Sequence, residues 1–193
     1  GDQGAPFYDE RYPNPNDNPL VKNFAADWSI ESIDGETGDI LDRPGVPADK
    51  FPAIYPNDAA ARASNGGGLP PDLSVIVSAR NGGADYIYNL LLAYEAEMPK
   101  DMVMGPGLSY NPVMDGGAIA MVAPLSEDLV EYADGTKATV EQMAADVTEF
   151  LAWSSDPKME QRKSTGLMTM LYLTILAILL WFSYKRVWKD VEH

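Results

Sequence analysis

Twenty-one consecutive residues, Ser164 to Tyr184, carry no charge. As a helix rising 1.5 Å per residue, such a run covers the roughly 30 Å of hydrocarbon in a bilayer. Leu167 to Phe182 is almost wholly apolar, Arg162 and Lys163 stand before the run, and Lys185, Arg186 and Lys189 follow it. Tyr172, Trp181, Tyr184 and Trp188 supply aromatic rings, the last three where an interfacial belt would sit. A buried helix of a soluble protein is a poor fit to a run bracketed by bases at both ends. The run predicts a transmembrane anchor. With Lys158 counted, three bases flank each side, so the positive-inside rule does not orient it. A large N-terminal domain that had left the cytoplasm would leave the short basic tail behind.

The anchor divides the chain into an N-terminal domain (1–157), a charged linker (158–163), the membrane helix (164–184) and a basic tail (185–193). The whole chain carries a formal charge of −15, but the acidity is lopsided. Residues 1–157 hold 26 acidic residues and 8 basic ones, a net charge of −18. Such a domain repels nucleic acid and anionic lipid and attracts a basic protein. Excess acid also keeps a secreted domain soluble, and acidity alone does not separate the two readings. Hydrophobic residues make up 46% of the chain and charged residues 22%, so most of it should fold.

Cysteine is absent, and the single histidine is His193. Disulfides, thiolate nucleophiles, Cys/His zinc sites and Ser-His-Asp triads are therefore excluded for these residues. Hydrolytic or redox chemistry carried by these residues alone is a poor fit to such a composition.

Proline recurs through residues 1–72, at Pro6, Pro13, Pro15, Pro19, Pro44, Pro47, Pro52, Pro56, Pro70 and Pro71, interleaved with Asn, Asp and Gly. This predicts an irregular segment, pinned to the core by residues such as Phe24, Trp28, Ile30 and Ile33. Helical signals begin at residue 73. Asp72 can cap a helix over 73–80 that stops at Asn81-Gly82-Gly83. Asp85 can cap a second, with Ile87, Leu90, Leu91 and Tyr94 on one face. Residues 97–124 return to loop. A third helix begins at Thr139, where Gln142 completes a capping box and Val140, Met143, Ala144, Val147, Phe150 and Leu151 face inward. The expected fold is mainly α, with short helices and long loops. That framework is sparse for 157 residues, and a group bound at its centre would supply what the small core lacks.

Several stretches occur in an order that resembles one family. They are Lys50 to Asn57 (KFPAIYPN), Ala59 to Ala63 (AAARA), Asn65 to Ser74 (NGGGLPPDLS), Ala79 to Tyr86 (ARNGGADY), Ala118 to Met121 (AIAM) and Tyr132 to Thr136 (YADGT), followed by the third helix and the anchor. From about Phe24 onward this resembles cytochrome c₁, the haem-carrying subunit of the cytochrome bc₁ complex. The resemblance implies a cytochrome c-like fold around a haem c. That family attaches its haem through Cys-x-x-Cys-His, a motif this sequence lacks. The chain therefore reads as a C-terminal portion, with covalent attachment through residues outside it.

The same resemblance makes Met121 the axial ligand of the haem iron. A thioether is a soft neutral donor, and His/Met ligation raises a haem's reduction potential. By spacing alone, a methionine in a Gly-rich loop is more often packing. The resemblance also sets Arg80 against a haem propionate, a pairing suited to a bidentate guanidinium. Without it, Arg80 reads equally as a complement to a helix C-terminus. Tyr86 would donate to the other propionate, and Pro70 and Pro71 would form a rigid wall against the ring. The plainer readings are a structural tyrosine and a helix start.

The implied function is electron transfer from an iron–sulfur subunit to a soluble or anchored c-type cytochrome. The implied partners are cytochrome b, the Rieske iron–sulfur subunit and membrane lipid. The chain would not be an enzyme by itself, but the electron-carrying subunit of ubiquinol–cytochrome c reductase. It would cross a bacterial or mitochondrial inner membrane once, with its N-terminal domain in the periplasm or intermembrane space. Two rivals stand beside this. Met98, Met102, Met104, Met114 and Met121 could offer thioethers to Cu(I), although they are irregularly spaced. A haem-free assembly subunit would only dock partners.

Overall fold

The computed structural model describes residues 9–189. It divides into two compact units, residues 1–157 and 158–193. Proline-6 and the last four residues of the expected basic tail, His193 among them, lie outside the described residues.

The first unit is organised by two helices, α3 (Gly83–Leu92) and α4 (Val140–Ser155). Helix α4 starts where expected: the Thr139 side chain accepts the Gln142 N–H at 3.1 Å. The reciprocal half of the capping box is not made, because the Gln142 side chain donates instead to Asp146 at 3.0 Å. Val140, Met143, Ala144 and Thr148 form the buried stripe of α4. Ile87 and Leu91 of α3 meet Ala144 and Ile76 to form the core, with Tyr86, Leu125, Val147 and Leu151 packed around it. Ala144 is wholly enclosed, and its small side chain lets α3 approach closely. Each enclosed Ile or Leu stabilises the unit by about 1.5–3 kcal/mol. Asp85 lies in the first turn of α3 rather than at its cap, where its carboxylate still faces the positive end of the helix dipole.

The helix expected over 73–80 does not form. The segment is a chain of turns, in which Ala79 N–H is shared between the carbonyls of Val75 and Ile76. Asp72 accepts from both the N–H and the hydroxyl of Ser74, closing a turn over two residues instead of opening a helix. Val75, Ile76 and Val77 are all β-branched, which weakens helix propagation in so short a run. Ile76 is held in the core while Leu73 and Val75 stay exposed.

Residues 9–72 are more regular than their prolines suggested. Helix α1 (Pro19–Ala26) carries its proline in the first turn, where no N–H is needed, and Asn18 caps it by accepting from Leu20 at 2.9 Å. Strands β1 (Ser29–Ile33) and β2 (Ile40–Pro44) pair antiparallel from Ser29↔Pro44 to Ile33↔Ile40. Helix α2 (Asp58–Ser64) is capped by Asn57. The prolines mark where elements begin and end, so they punctuate the segment rather than dissolve it.

Phe24 of α1 meets Phe150 of α4 at 5.9 Å between ring centroids and Phe51 at 6.2 Å. Trp28 and Trp153 extend this aromatic cluster around a cleft of about 160 Å³. Gly45 closes one side. A Cβ there would sit 2.5 Å from the Ala25 carbonyl oxygen, so no larger residue fits where the hairpin crosses α1. The Asp49 carboxylate fixes the next turn. It takes both Arg43 guanidinium nitrogens at 2.7 Å and the Val46 N–H at 2.7 Å.

The second unit is helix α5 (Met159–Val187), 29 residues and about 43 Å long. It is long and apolar enough to cross a membrane, with a mean hydropathy of 2.0 over its most apolar stretch. The residues expected as a linker, 158–163, are already helical from Met159 onward. Thr169 and Thr174 donate their hydroxyls back to the Thr165 and Met170 carbonyls at 2.8 Å, so neither is left unsatisfied in an apolar setting. Lys185 lies 5.1 Å over the Trp181 ring, near the end of the helix.

The Arg43 hydrogen bonds, aided by the Val46 N–H, hold the Asp49 carboxyl at a pKa of about 2, below its ordinary value near 4. A depressed carboxylate pKa stabilises the fold above the ordinary value and ceases to do so as pH falls through the folded one. The near-ultraviolet circular dichroism of the adjoining aromatic cluster should therefore decline between about pH 4 and pH 2. Asp49→Asn should show a weakened signal already at neutral pH and lack this acid step.

Candidate cofactor site

The site is built on a short hairpin held against α3. Strand β3 (Ser109–Tyr110) pairs antiparallel with β4 (Ala118–Ile119), Ser109 opposite Ile119 and Tyr110 opposite Ala118. The turn between them is organised by Asn111, whose side chain has no exposed surface. Its amide donates to the Leu90 carbonyl in α3 at 2.8 Å, its side-chain oxygen accepts the Val113 N–H at 3.1 Å, and its own N–H donates to Gly117 at 3.0 Å. Gly117 adopts a φ of +70°, and a Cβ there would sit 3.0 Å from the Met102 methyl carbon. Both the conformation and the contact require glycine.

The chain leaves this hairpin at Ala120 and Met121. Met121 is 40% exposed, and its carbonyl accepts the Tyr94 hydroxyl at 3.0 Å. Tyr94 sits in a single 3₁₀ turn, Ala93–Glu95, that continues α3. Burial pushes its phenol pKa above the ordinary value, so the hydroxyl remains a donor throughout the neutral range.

The glycine-rich segment before Pro70 reaches the same place, since a Cβ at Gly68 would lie 3.6 Å from the Ala120 Cβ. Pro70 and Pro71 follow on an exposed stretch. Leu69, Leu73, Val75 and Val122 are likewise exposed, Val122 by 75%. Contiguous segments bearing a thioether, two prolines and several uncovered aliphatic side chains fit a flat apolar group such as a porphyrin.

Tyr86 lies on α3 beneath this hairpin, and its hydroxyl donates to the Met114 sulfur at 3.2 Å. Arg80 is exposed at the end of the turn chain, where its guanidinium donates to the neighbouring Ala79 carbonyl at 3.2 Å. The geometry thus joins the segment leading to Pro70 and Pro71 with Met121, and links Tyr86 to the same hairpin through Met114. Arg80 ends the turn chain that precedes α3, and among the described residues its hydrogen bond is to Ala79 rather than to the Met121 loop. Met114 is engaged by Tyr86 and Met102 packs on Gly117, uses that compete with thioether binding of copper. The roles of Asn111 and the Tyr94 hydroxyl, and the bond of Met114 to Tyr86, were missed from sequence. Asn111-Pro112 was legible only as a turn, and Tyr94 only as part of an apolar stripe.

Beyond the hairpin, Glu127 accepts the Val140 N–H at 3.2 Å and pairs with Lys137 at 3.8 Å. It thereby serves the start of α4 while remaining, with Asp128 and Glu131, on an exposed acidic stretch.

Residues 8–191 match the cytochrome C1 family. This chain belongs to that family. It is 46% identical over 175 residues to the mitochondrial cytochrome c₁ haem protein of Saccharomyces cerevisiae, covering 91% of this chain and 57% of the yeast protein. Against cytochrome c₁ of Rhodospirillum rubrum the identity is 38% over 188 residues, with coverage of 90% and 69%. A Bradyrhizobium diazoefficiens protein named cytochrome b/c1 is 41% identical over 188 residues, covering 88% of this chain and 27% of that protein. The chain spans less than two thirds of the yeast relative's length.

Replacing Asn111 by Ala would strand the Leu90 carbonyl in the interior, at about 1–3 kcal/mol. Asn111→Ala should lower the Tm by several degrees and make proteolysis begin within residues 111–121.

Proposed function

We propose that this chain carries the axial-ligand half of a haem c site and serves as the electron-carrying subunit of a ubiquinol–cytochrome c reductase. It takes one electron from a Rieske iron–sulfur subunit, beside cytochrome b, and passes it to a soluble or anchored c-type cytochrome. The observation that supports this best is the Met121 thioether, exposed among uncovered aliphatic side chains on a loop of a cytochrome c₁ chain. Bound haem c supplies a one-electron Fe(III)/Fe(II) couple. A chain without cysteine can make no thioether bond to it, so attachment comes from residues outside the chain.

Each residue then has a defined task. The Met121 sulfur would ligate the iron, as a donor that favours the reduced state. Leu69, Pro70, Pro71 and Val75 exclude water from one face of the ring, and the prolines do so at little entropic cost. Among the described residues the Arg80 guanidinium pairs with no carboxylate, which leaves it available to a propionate. Tyr86 would exchange its bond to Met114 for one to the second propionate. The chain itself performs no proton or group transfer, in keeping with a site that lacks cysteine and histidine.

Helix α5 anchors the subunit in a bacterial or mitochondrial inner membrane, with the acidic unit in the periplasm or intermembrane space. Its tilt and depth depend on lipid and neighbouring helices. The charge of the acidic unit draws in a basic acceptor while the anchor holds the subunit beside its donor.

Met121→Leu should lower the midpoint potential, abolish the methionine–iron charge-transfer band and let carbon monoxide bind the reduced iron. An unchanged potential and spectrum would remove Met121 from the iron. Electron transfer to a basic cytochrome c should slow about tenfold as ionic strength rises from 0.01 to 0.1 M, where the Debye length shortens from about 30 to about 10 Å. Stopped-flow kinetics measure this. Neutralising Glu127, Asp128 and Glu131 together should flatten the salt dependence if the acceptor docks there.

A further inference from the structure

The cytochrome c₁ reading assigns a ligand but leaves open what aims it. A methionine ligand has three rotatable side-chain bonds, so its sulfur is only as well placed as its backbone. The backbone at Met121 lies beyond the two-residue pairing of β3 and β4, which ends at Ile119. Such a short ribbon is a weak support. Met121 itself is 40% exposed, so packing does little to fix it.

One bond reaches the residue directly. The Tyr94 hydroxyl donates to the Met121 carbonyl at 3.0 Å, across 27 positions of sequence. Tyr94 is half-buried in the turn that continues α3, whose Ile87, Leu90 and Leu91 are buried. The bond therefore links the ligand's own peptide to the most rigid element of the unit. Asn111 ties the other end of the hairpin to the Leu90 carbonyl of the same helix. The loop is thus held at both ends by the last turn of α3.

We propose that Tyr94 is a positioning residue for haem ligation: its hydroxyl fixes the Met121 carbonyl so that the thioether meets the iron. This rests on Met121 being the axial ligand. Without the bond, the loop after Ile119 pivots and the thioether leaves the iron for part of the time. Mobility at the ligand weakens the bond to Fe(II) and Fe(III) unequally, so both occupancy and potential respond.

The test uses the protein with its haem, in its membrane complex. Tyr94→Phe keeps the ring and removes the donor, whereas Tyr94→4-aminophenylalanine keeps the ring and replaces the donor with an N–H. Met121→Leu is the control for the ligand reading. Tyr94→Phe should weaken the methionine–iron band by half or more, admit a fraction of carbon monoxide and give a potential between wild type and Met121→Leu. The amino variant should restore the band. A Tyr94→Phe protein with wild-type band, potential and carbon monoxide exclusion overturns the proposal, as does an amino variant that behaves like Phe. If Tyr94→Phe does not accumulate with haem, the amino variant decides alone: a normal band supports the hydrogen bond and a lost one overturns it. An unaltered spectrum in Met121→Leu would instead overturn the ligand assignment itself.

Discussion

The packing of α3 on α4 is the interaction on which the acidic unit depends. Ala144 has no exposed surface, so the two helices approach as closely as their backbones allow there, with Ile87 and Leu91 filling the seam. Everything concerned with the site hangs from α3. Its last residues receive Asn111 at the Leu90 carbonyl and offer Tyr94 to Met121. Tyr86, the fourth residue of the helix, holds Met114. A change that tilted α3 by a few degrees would therefore move the Met121 loop as a body. A packed seam resists such a change because its side chains have nowhere to relax.

The apolar surface points to the same economy. Ten hydrophobic residues are buried in the described part of the chain, while Leu69, Leu73, Val75 and Val122 lie open to solvent. A domain of this length ordinarily encloses more of its aliphatic side chains. In the reading proposed here those side chains meet a haem, and the protein's own core is small because the cofactor completes it. Binding then contributes to folding, since a group that binds only the native state stabilises it by mass action. The aromatic cluster at Phe24, Phe51 and Phe150 is a second, independent store of packing energy. It brings the N-terminal segment onto α4 without using any residue of the site.

Much of this was legible in the residues because local signals and tertiary packing agreed. Thr139 with Gln142 marked the start of α4, and the spacing of Ile87, Leu90 and Leu91 marked the buried face of α3. The uncharged run from Ser164 gave α5, although the charged residues before it proved helical too, because Glu160, Gln161, Arg162 and Lys163 are all good helix formers. Agreement failed in two places. Asp72 and the apolar run after it read as a helix start, but three β-branched residues and a competing Asp72–Ser74 bond left only turns. The prolines of residues 1–72 read as an irregular segment, yet Pro19 opens a helix and Pro44 ends a strand. The site was harder to read for a different reason. Pro70, Tyr86 and Met121 could be named from a resemblance, but the bonds from Asn111 and Tyr94 span 21 and 27 residues. No periodicity encodes a contact of that range.

Charge and apolar surface divide the work of the acidic unit. Carboxylates such as Asp34, Asp72 and Asp134 are held below their ordinary pKa by hydrogen bonds from backbone N–H groups or hydroxyls within two or three residues. These carboxylates shape turns while still contributing negative charge to the surface. Asp9 and Asp49 are each gripped by a guanidinium at both oxygens, and Asp49 stands beside the aromatic cleft rather than beside Met121. Met121 is followed by the exposed Val122, and the nearest base before it in sequence is Lys100. A low-polarity setting disfavours the extra positive charge of an oxidised iron, and so raises a potential in the same direction as the thioether. The far-reaching negative field works against both, because it stabilises the oxidised form, but solvent screens it within about 10 Å at 0.1 M salt. In the reading proposed here, short-range ligation and burial would set the potential, while the long-range field would act on the approach of a basic partner.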